Sequence, residues 1–449
     1  MRQKRIAQLS IFDQFAEHEL GKELSIMSAW LDEFPEFADL VAGDLISVEA
    51  RNTGRQGFSA ETVLRCAILK QVRQVSYEEL AFYLADSLSF RAFSRLPNEV
   101  APGKSALQAL IGNIQASTWE TIQQQLLQCA QQRQIETGRR IRIDSTVTET
   151  HIKAPLDSQL LWDAVRVMVR LLKSGDLLDS TVRRSWQNHS RVAKKLARKI
   201  DYTRGAAKKQ VLYRDLIKVV EKTVGYLNLA QAVLTFSGTG QSPEVDLWCA
   251  EVAHYQPLIA RVTDQTRRRV FHGENVPVAD KIVSLFEEHT DIIRKGGRET
   301  QFGHKLNLSG GRSGLILDVM VERGNPADSA RVCPLLARHI ELYGKPPRQL
   351  AADGGYASQE NVRRAREMGV RDVAFHKKRG LKVEVMAKSP WVYRQLRNFR
   401  AGIEAKISHL KRSFGLSRCR WRGWERFQAY VWSSVVAYNL MQLSRLQSP

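Results

Sequence analysis

Strand-like alternation is confined to two places in this 449-residue chain, and a long helical tract separates them. The first is Arg140-Ile141-Arg142-Ile143-Asp144, where polar and apolar residues alternate with period two. The second holds four segments: His304–Leu308 and Leu315–Val321 around a Gly/Ser turn, then Gln349–Ala352, then Arg371–His376. From Pro155 to Pro243 no proline intervenes, and Leu161, Ala164, Val165, Met168 and Leu172 keep helical spacing. Helical text also separates the later strands. The five strands must therefore pair across a helical insertion. The expected fold class is α/β, a mixed five-stranded sheet with helices packed on it and a large helical insertion after the first strand.

The regions before and after the sheet read as helix. Ser59–Val72 carries Val63, Leu64, Ala67, Ile68 and Val72 on one face behind a Ser59 cap. A second helix starts at Ser76, with Glu79 as its capping-box partner. The pair resembles a helix-turn-helix, although core packing accounts for it equally. Long helices are expected over Trp391–Phe414 and from Trp424 to Leu446. The expected boundaries are 1–135 for a helical N-terminal DNA-binding module, 136–157 with 300–420 for the sheet domain, 158–299 for a basic helical insertion and 421–449 for a C-terminal helix.

Charge narrows the partner. Lys plus Arg number 68 against 47 Asp plus Glu, a net +21. An excess of that size favours a polyanion, because each neutralised phosphate releases condensed counterions. Arg183–Lys222 is the densest tract, although a solvated charged face explains any single lysine in it. Five scattered cysteines without a CxxC spacing suggest neither a disulfide framework nor a zinc site. No long apolar run and no leader-like N-terminus are evident, so a cytoplasmic, nucleoid-associated protein without membrane contact is expected.

The acids carry the chemistry. Asp144 and Asp353 each follow a strand, where ligand sites of α/β sheets gather. In the helix Trp391–Phe414, Leu396, Phe399, Ile403, Ile407, Leu410 and Phe414 form one apolar stripe. Arg397, Arg400, Glu404, Ser408 and Lys411 form a second stripe beside it. Glu404 can thus be aimed at the two aspartates while Arg400 and Lys411 face phosphates. An ordinary ion pair between Glu404 and Arg400, one turn apart, fits the same residues.

Four segments resemble blocks of the DDE transposases of bacterial insertion sequences, in the group labelled ISNCY. They are Ile143-Asp144-Ser145-Thr146, Gly324-Asn325-Pro326-Ala327-Asp328, Ala352-Asp353-Gly354-Gly355-Tyr356, and Arg400-x3-Glu404-x6-Lys411. The signature helix of related elements has a tyrosine three residues before its arginine. Here that position is Arg397, and the nearest tyrosine is Tyr393. The resemblance implies an RNase H-like, retroviral-integrase-like catalytic domain. It implies catalytic and metal-ligating roles for Asp144, Asp353 and Glu404, with two Mg2+ ions that Mn2+ can replace. Arg400, Lys411, Lys377, Lys378, Arg397 and Tyr393 become the expected DNA contacts. The implied substrates are duplex DNA with terminal inverted repeats and target DNA, bound by a homodimer. A metal-dependent nuclease without strand transfer, or a DNA-binding protein that has lost catalysis, remains open on the residues alone.

Overall fold

The computed structural model describes residues 4, 17–46, 57–96, 100–236, 242–294, 299–377 and 379–447. The chain divides into two compact units, residues 1–151 with 293–449, and residues 152–292.

The first unit is built on the sheet. Its strands are β1 (Arg140–Thr150), β2 (Asp291–Ile293), β3 (Gln301–Gly310), β4 (Ile316–Val321), β5 (Gln349–Ala352), β6 (Asp372–Phe375) and β7 (Arg418–Cys419). β3 pairs antiparallel with both β1 and β4, while β5 lies parallel to β1 and β6 parallel to β5. A hairpin on one side of β1 and two parallel strands on the other make the expected RNase H-like mixed sheet. Among the described residues the strands number seven rather than five, because β2 and β7 add three and two residues. Runs that short carry no readable period.

β1 is also longer than the expected Arg140–Asp144. Its pairing with β3 runs from Arg142↔Gly310 to Glu149↔Gly303, so Asp144 lies within the strand instead of at its end. The β-branched Thr146, Val147 and Thr148 suit the extension, but their mixed polarity hides the alternation. What stops at that level is β5, whose last pair with β1 is Ile143↔Ala352. In the hairpin, Asp318 is 7% exposed, and Arg338 grips it through two bonds of 2.6 Å.

Among the described residues, seven helices precede the sheet: α1 (Glu19–Asp32), α2 (Glu36–Leu45), α3 (Ala60–Arg73), α4 (Tyr77–Asp86), α5 (Leu88–Phe93), α6 (Lys104–Ile111) and α7 (Ala116–Gln132). The expected caps are present. Ser59 accepts from the Thr62 amide at 3.1 Å, and Ser76 with Glu79 closes the capping box. Gln74, in the left-handed region at φ 54°, turns the chain between α3 and α4. α3 is a core helix, with Val63, Leu64, Ala67 and Ile68 all buried. α4 holds Glu78, Glu79 and Asp86 and no Lys or Arg, so it offers phosphates no cation.

After β4 come α12 (Val332–Tyr343), α13 (Gln359–Glu367), α14 (Val383–Met386), α15 (Pro390–Ser413) and α16 (Trp424–Gln447). α16 is apolar nearly all round, and such a helix must be buried. Its Asn439 side chain brackets Ile316 of β4, accepting from the amide at 2.9 Å and donating to the carbonyl at 2.7 Å. On another side, Gln71 of α3 donates to Ser433 at 2.8 Å. The N-terminal helices and the sheet therefore share one apolar core.

The second unit has its own core. α8 (Asp157–Leu178), α9 (Ser190–Tyr202), α10 (Ala206–Phe236) and α11 (Pro243–Phe271) bury Leu161, Ala164, Val165, Met168 and Leu172 together with Leu216 and Val262. α9 turns Ala193, Ala197 and Ile200 inward and leaves Arg191, Lys194, Lys195, Arg198 and Lys199 exposed. Among the described residues, none of these five cations pairs with a carboxylate.

Candidate active site

Strand parity sets the first two carboxylates. Arg140, Arg142 and Asp144 point to one face of β1, and Gln349, Ala351 and Asp353 share the corresponding face beside β5. The register Ile143↔Ala352 makes Asp144 and Asp353 the next residues on adjacent parallel strands. Arg140 donates to the Gln349 side chain at 2.8 Å on the same face.

α15 covers that face. Ser389 caps it, accepting from the Val392 amide at 3.3 Å, and Pro390 opens its first turn. Leu396, Ile403 and Leu410, each 0% exposed, bury its apolar stripe. Arg142 reaches up from β1, donates to the Phe399 carbonyl at 2.9 Å and lies 4.7 Å from the Phe399 ring centre. It passes over Gly402, where a Cβ would stand 2.2 Å from the Arg142 Nη1. Arg142 thus fixes the height of α15 over the sheet, a role hidden behind its apparent outward place in the strand pattern.

The three predicted acids meet on one guanidinium. Arg400 Nη2 lies 2.8 Å from Asp144 Oδ2 and 3.5 Å from Asp353 Oδ1, while Nη1 lies 2.8 Å from Glu404 Oε1. Asp144 Oδ1 also accepts from the Ser145 amide at 2.8 Å. The side chains of Asp144, Asp353 and Glu404 are 13%, 41% and 61% exposed, so the cluster opens outward from the sheet toward the helix. Arg400 itself is only 6% exposed, and its Nε has no hydrogen-bond partner. Expected at a phosphate, Arg400 instead faces the acids.

The loop after β5 needs its two glycines. A Cβ on Gly354 would fall 2.7 Å from Lys377 Cβ, and one on Gly355 would fall 2.7 Å from Asp328 Oδ2. Asp328 caps no helix and pairs with Lys305 of β3. Lys305 also donates to the Pro326 carbonyl at 2.6 Å, which seats the Gly324–Asp328 block against the Asp353 loop. Tyr356 is fully buried and donates to Asn307 Oδ1 at 2.7 Å. Burial pushes its phenol well above the ordinary range, with the charges of Asp328 and Asp144 adding to the effect. Lys305, Asn307 and Asp328 were not singled out as site residues, since their partners are distant in sequence.

The other expected DNA contacts are scattered around this cluster. Arg397 is exposed one turn before Arg400, Lys377 is exposed beside Gly354, and Lys411 is half-buried farther along α15. Lys378 lies outside the described residues. Tyr393 points into the protein: it is 7% exposed, and its hydroxyl donates to the Phe375 carbonyl at 2.8 Å, tying α15 to β6. Trp421 and Trp424 are engaged internally. Trp421 packs on Tyr430, and Trp424 holds Arg323 at 4.1 Å from its ring centre.

Three carboxylates with no thiol or imidazole form a donor set suited to a hard divalent cation such as Mg2+. Among the described residues, no three acidic, His or Cys side chains are spaced to hold one ion in common. The acids are instead spaced by the guanidinium between them. Among those residues, too, no helix is long and apolar enough to cross a membrane.

Two family models match the chain. Residues 266–440 match "Transposase DDE domain", and residues 12–109 match "Transposase domain (DUF772)". The first match takes in Asp353 and Glu404. Asp144 falls before it, separated by the second unit, and rests on the register of β1. No curated protein and no solved structure matches. The DDE model covers the hairpin, the parallel strands and α15, its companion covers most of the N-terminal helices, and together they span more than half of the sequence. The chain belongs to the DDE transposases of insertion sequences, a family of DNA-cleaving and DNA-joining enzymes that use divalent metal ions.

Proposed function

We propose that this chain cuts the ends of an insertion sequence and joins the freed 3′-hydroxyl to target DNA, with Asp144, Asp353 and Glu404 as ligands of two Mg2+ ions that Mn2+ can replace. The observation that carries this reading is the convergence of the three acids, from two strands and a helix, on Arg400. When bound, the ions supply an activated oxygen nucleophile and stabilise the leaving oxygen of an in-line displacement. Asp144 and Asp353 have short stems on adjacent strands, which hold their oxygens at a fixed separation. Glu404 reaches in from α15 on a longer and more exposed stem, so it adjusts to the phosphate being cut.

Arg397, Lys377 and Lys411 rim the cluster and contact the DNA backbone near the reacting phosphate. The unpaired cations of α9 add sequence-independent attraction to duplex DNA. Tyr356 is no nucleophile, because its buried hydroxyl is committed to Asn307; no covalent protein–DNA link is required. Joining two ends calls for a homodimer on DNA carrying terminal inverted repeats.

The test is a supercoiled-plasmid assay in Mg2+ with a donor carrying both element ends, comparing the native chain with Glu404→Gln. Cleaved ends and joined product from the native chain, with neither from the variant, support the proposal. Cleavage without joining, even when a free 3′-hydroxyl end is supplied, identifies a nuclease. Native function retained in the variant identifies a DNA-binding protein whose acids are not catalytic.

A further inference from the structure

We infer that Arg400 is the resting occupant of the metal position, and that a DNA phosphate must draw it away before divalent ions load. The inference rests on the proposed role of Asp144, Asp353 and Glu404 as ligands and adds the step that controls their filling. Three features of the arginine support it.

First, a single guanidinium contacts all three acids, with Nη2 shared by the two aspartates and Nη1 held by Glu404. It stands where a cation bridging those oxygens would stand. Second, the acids are spaced by this arginine and not for an ion: no metal-ligating trio exists among the described residues. Third, Arg400 is 6% exposed and its Nε donor has no partner. Its only acceptors among the described residues are the three acids, so nothing else there holds the guanidinium where it is.

Charge then dictates the order of events. Three carboxylates and one guanidinium carry a net −2. Two divalent ions would overfill that deficit and repel a guanidinium left a few ångströms away, where the local dielectric is low. The arginine must leave, and it needs an anion to go to. A DNA phosphate matches the planar fork with two parallel donors, and it can satisfy the orphan Nε. Arg397, exposed one turn away on the same stripe, shows where that backbone would run. DNA binding and metal binding are then linked, and linkage is reciprocal: each ligand tightens the other by the same factor. An enzyme so arranged carries little catalytic metal until it is on DNA, which keeps a DNA-cutting centre idle in free solution.

The experiment is Mn2+ binding to the full chain, read from the signal of free Mn2+ by electron paramagnetic resonance. It is run with and without a short duplex, with the duplex alone subtracted. The native chain should bind Mn2+ at least tenfold more tightly with duplex than without. Arg400→Gln should bind tightly without duplex, at least tenfold better than the native chain, and gain little from it. Arg400→Lys keeps a charge but loses the fork, so it should fall between them and covers the case in which Arg400→Gln does not fold. If folded Arg400 variants bind Mn2+ no better than the native chain, the arginine only props the acids in place and the inference fails. Asp144→Asn separates that failure from a deeper one. If Asp144→Asn binds Mn2+ as well as the native chain, the acids are not ligands and the proposed function itself falls.

Discussion

Arg65 and Arg400 are both buried guanidiniums surrounded by acids, and they are built differently. Arg65, 1% exposed in α3, donates from Nε to Glu61 at 3.1 Å, from Nη1 to Ser28 at 2.9 Å and to the Phe93 carbonyl at 3.2 Å, and from Nη2 to Asp32 at 2.7 Å. Every nitrogen is used, and half of its acceptors are neutral. Arg400 has only carboxylates for acceptors and leaves Nε without one. The first arrangement is complete without any other molecule. The second is incomplete as it stands. Burying a cation is tolerable only when partners replace its water; Arg65 has charged and neutral partners spread over every nitrogen, as a joint in the core should, whereas the three acids alone hold Arg400.

The largest effect that can break this contrast is on stability. Arg65→Gln leaves the 12%-exposed Glu61, Ser28 and the Phe93 carbonyl without their donor, while Asp32 keeps Arg95, and should cost about 3 kcal/mol, the low end for breaking a buried pair. Arg400→Gln should cost less, about 1–2 kcal/mol, because water reaches Asp353 and Glu404 at 41% and 61% exposure, and only Asp144, 13% exposed and still held by the Ser145 amide, loses a largely buried partner. Urea unfolding of the two variants measures both. Equal losses would mean that Arg400 is a core joint like Arg65.

A smaller effect sharpens the Arg400 side. Alanine normally improves on glycine within a helix by about 1 kcal/mol. At Gly402 the added Cβ would meet Arg142 Nη1 at 2.2 Å, so Gly402→Ala must push the tip of that side chain off the Phe399 carbonyl, and losing that bond, about 1 kcal/mol, should cancel the gain. The variant should also slow DNA cleavage, since freeing α15 from β1 moves Arg400 and Glu404 away from the two aspartates. A stabilised, fully active Gly402→Ala would show that the contact between Arg142 and α15 does not set the site.

Much of this was readable before the fold. Asp144 and Asp353 stood out because each follows a short alternating or apolar segment, and the two stripes of α15 put Glu404 beside the buried face. The caps at Ser59 and Ser76 are local chemistry and were legible as such. The misses share one cause, which is that partners distant in sequence leave no periodic trace. Nothing near Asp318 and Asp328 in the sequence betrays their ion pairs, because Arg338 and Lys305 lie elsewhere in the chain. The helical period gave the angle of Arg400 around α15 but not its direction, and only the aspartates brought up by β1 and β5 decide that it turns inward. The second half of β1 was invisible for a related reason. Its Thr-rich segment is held by β3, at the far end of an insertion of more than a hundred residues.

The smallest effects concern cations that have no acid at all. On α13, Arg363 and Arg364 are exposed but engaged by Glu360 at 2.7 and 2.5 Å. These carboxylates hold both guanidiniums above their ordinary range, while Glu360 is drawn down to about 2. On α9, Lys195 and Arg198 are equally exposed and have no such partner among the described residues. A cation already neutralised by a neighbour releases few counterions when a phosphate arrives, whereas an unpaired one releases about 0.9 per contact. Lys195→Gln and Arg198→Gln should therefore each lower the salt slope of duplex binding by about 0.9. Arg363→Gln should leave the slope unchanged, and all three should hold stability within about 0.5 kcal/mol. Fluorescence anisotropy with a duplex over a salt series resolves the difference. Equal slopes for α9 and α13 variants would mean that net charge alone attracts the DNA, and that the unpaired face of α9 has no particular part in holding it.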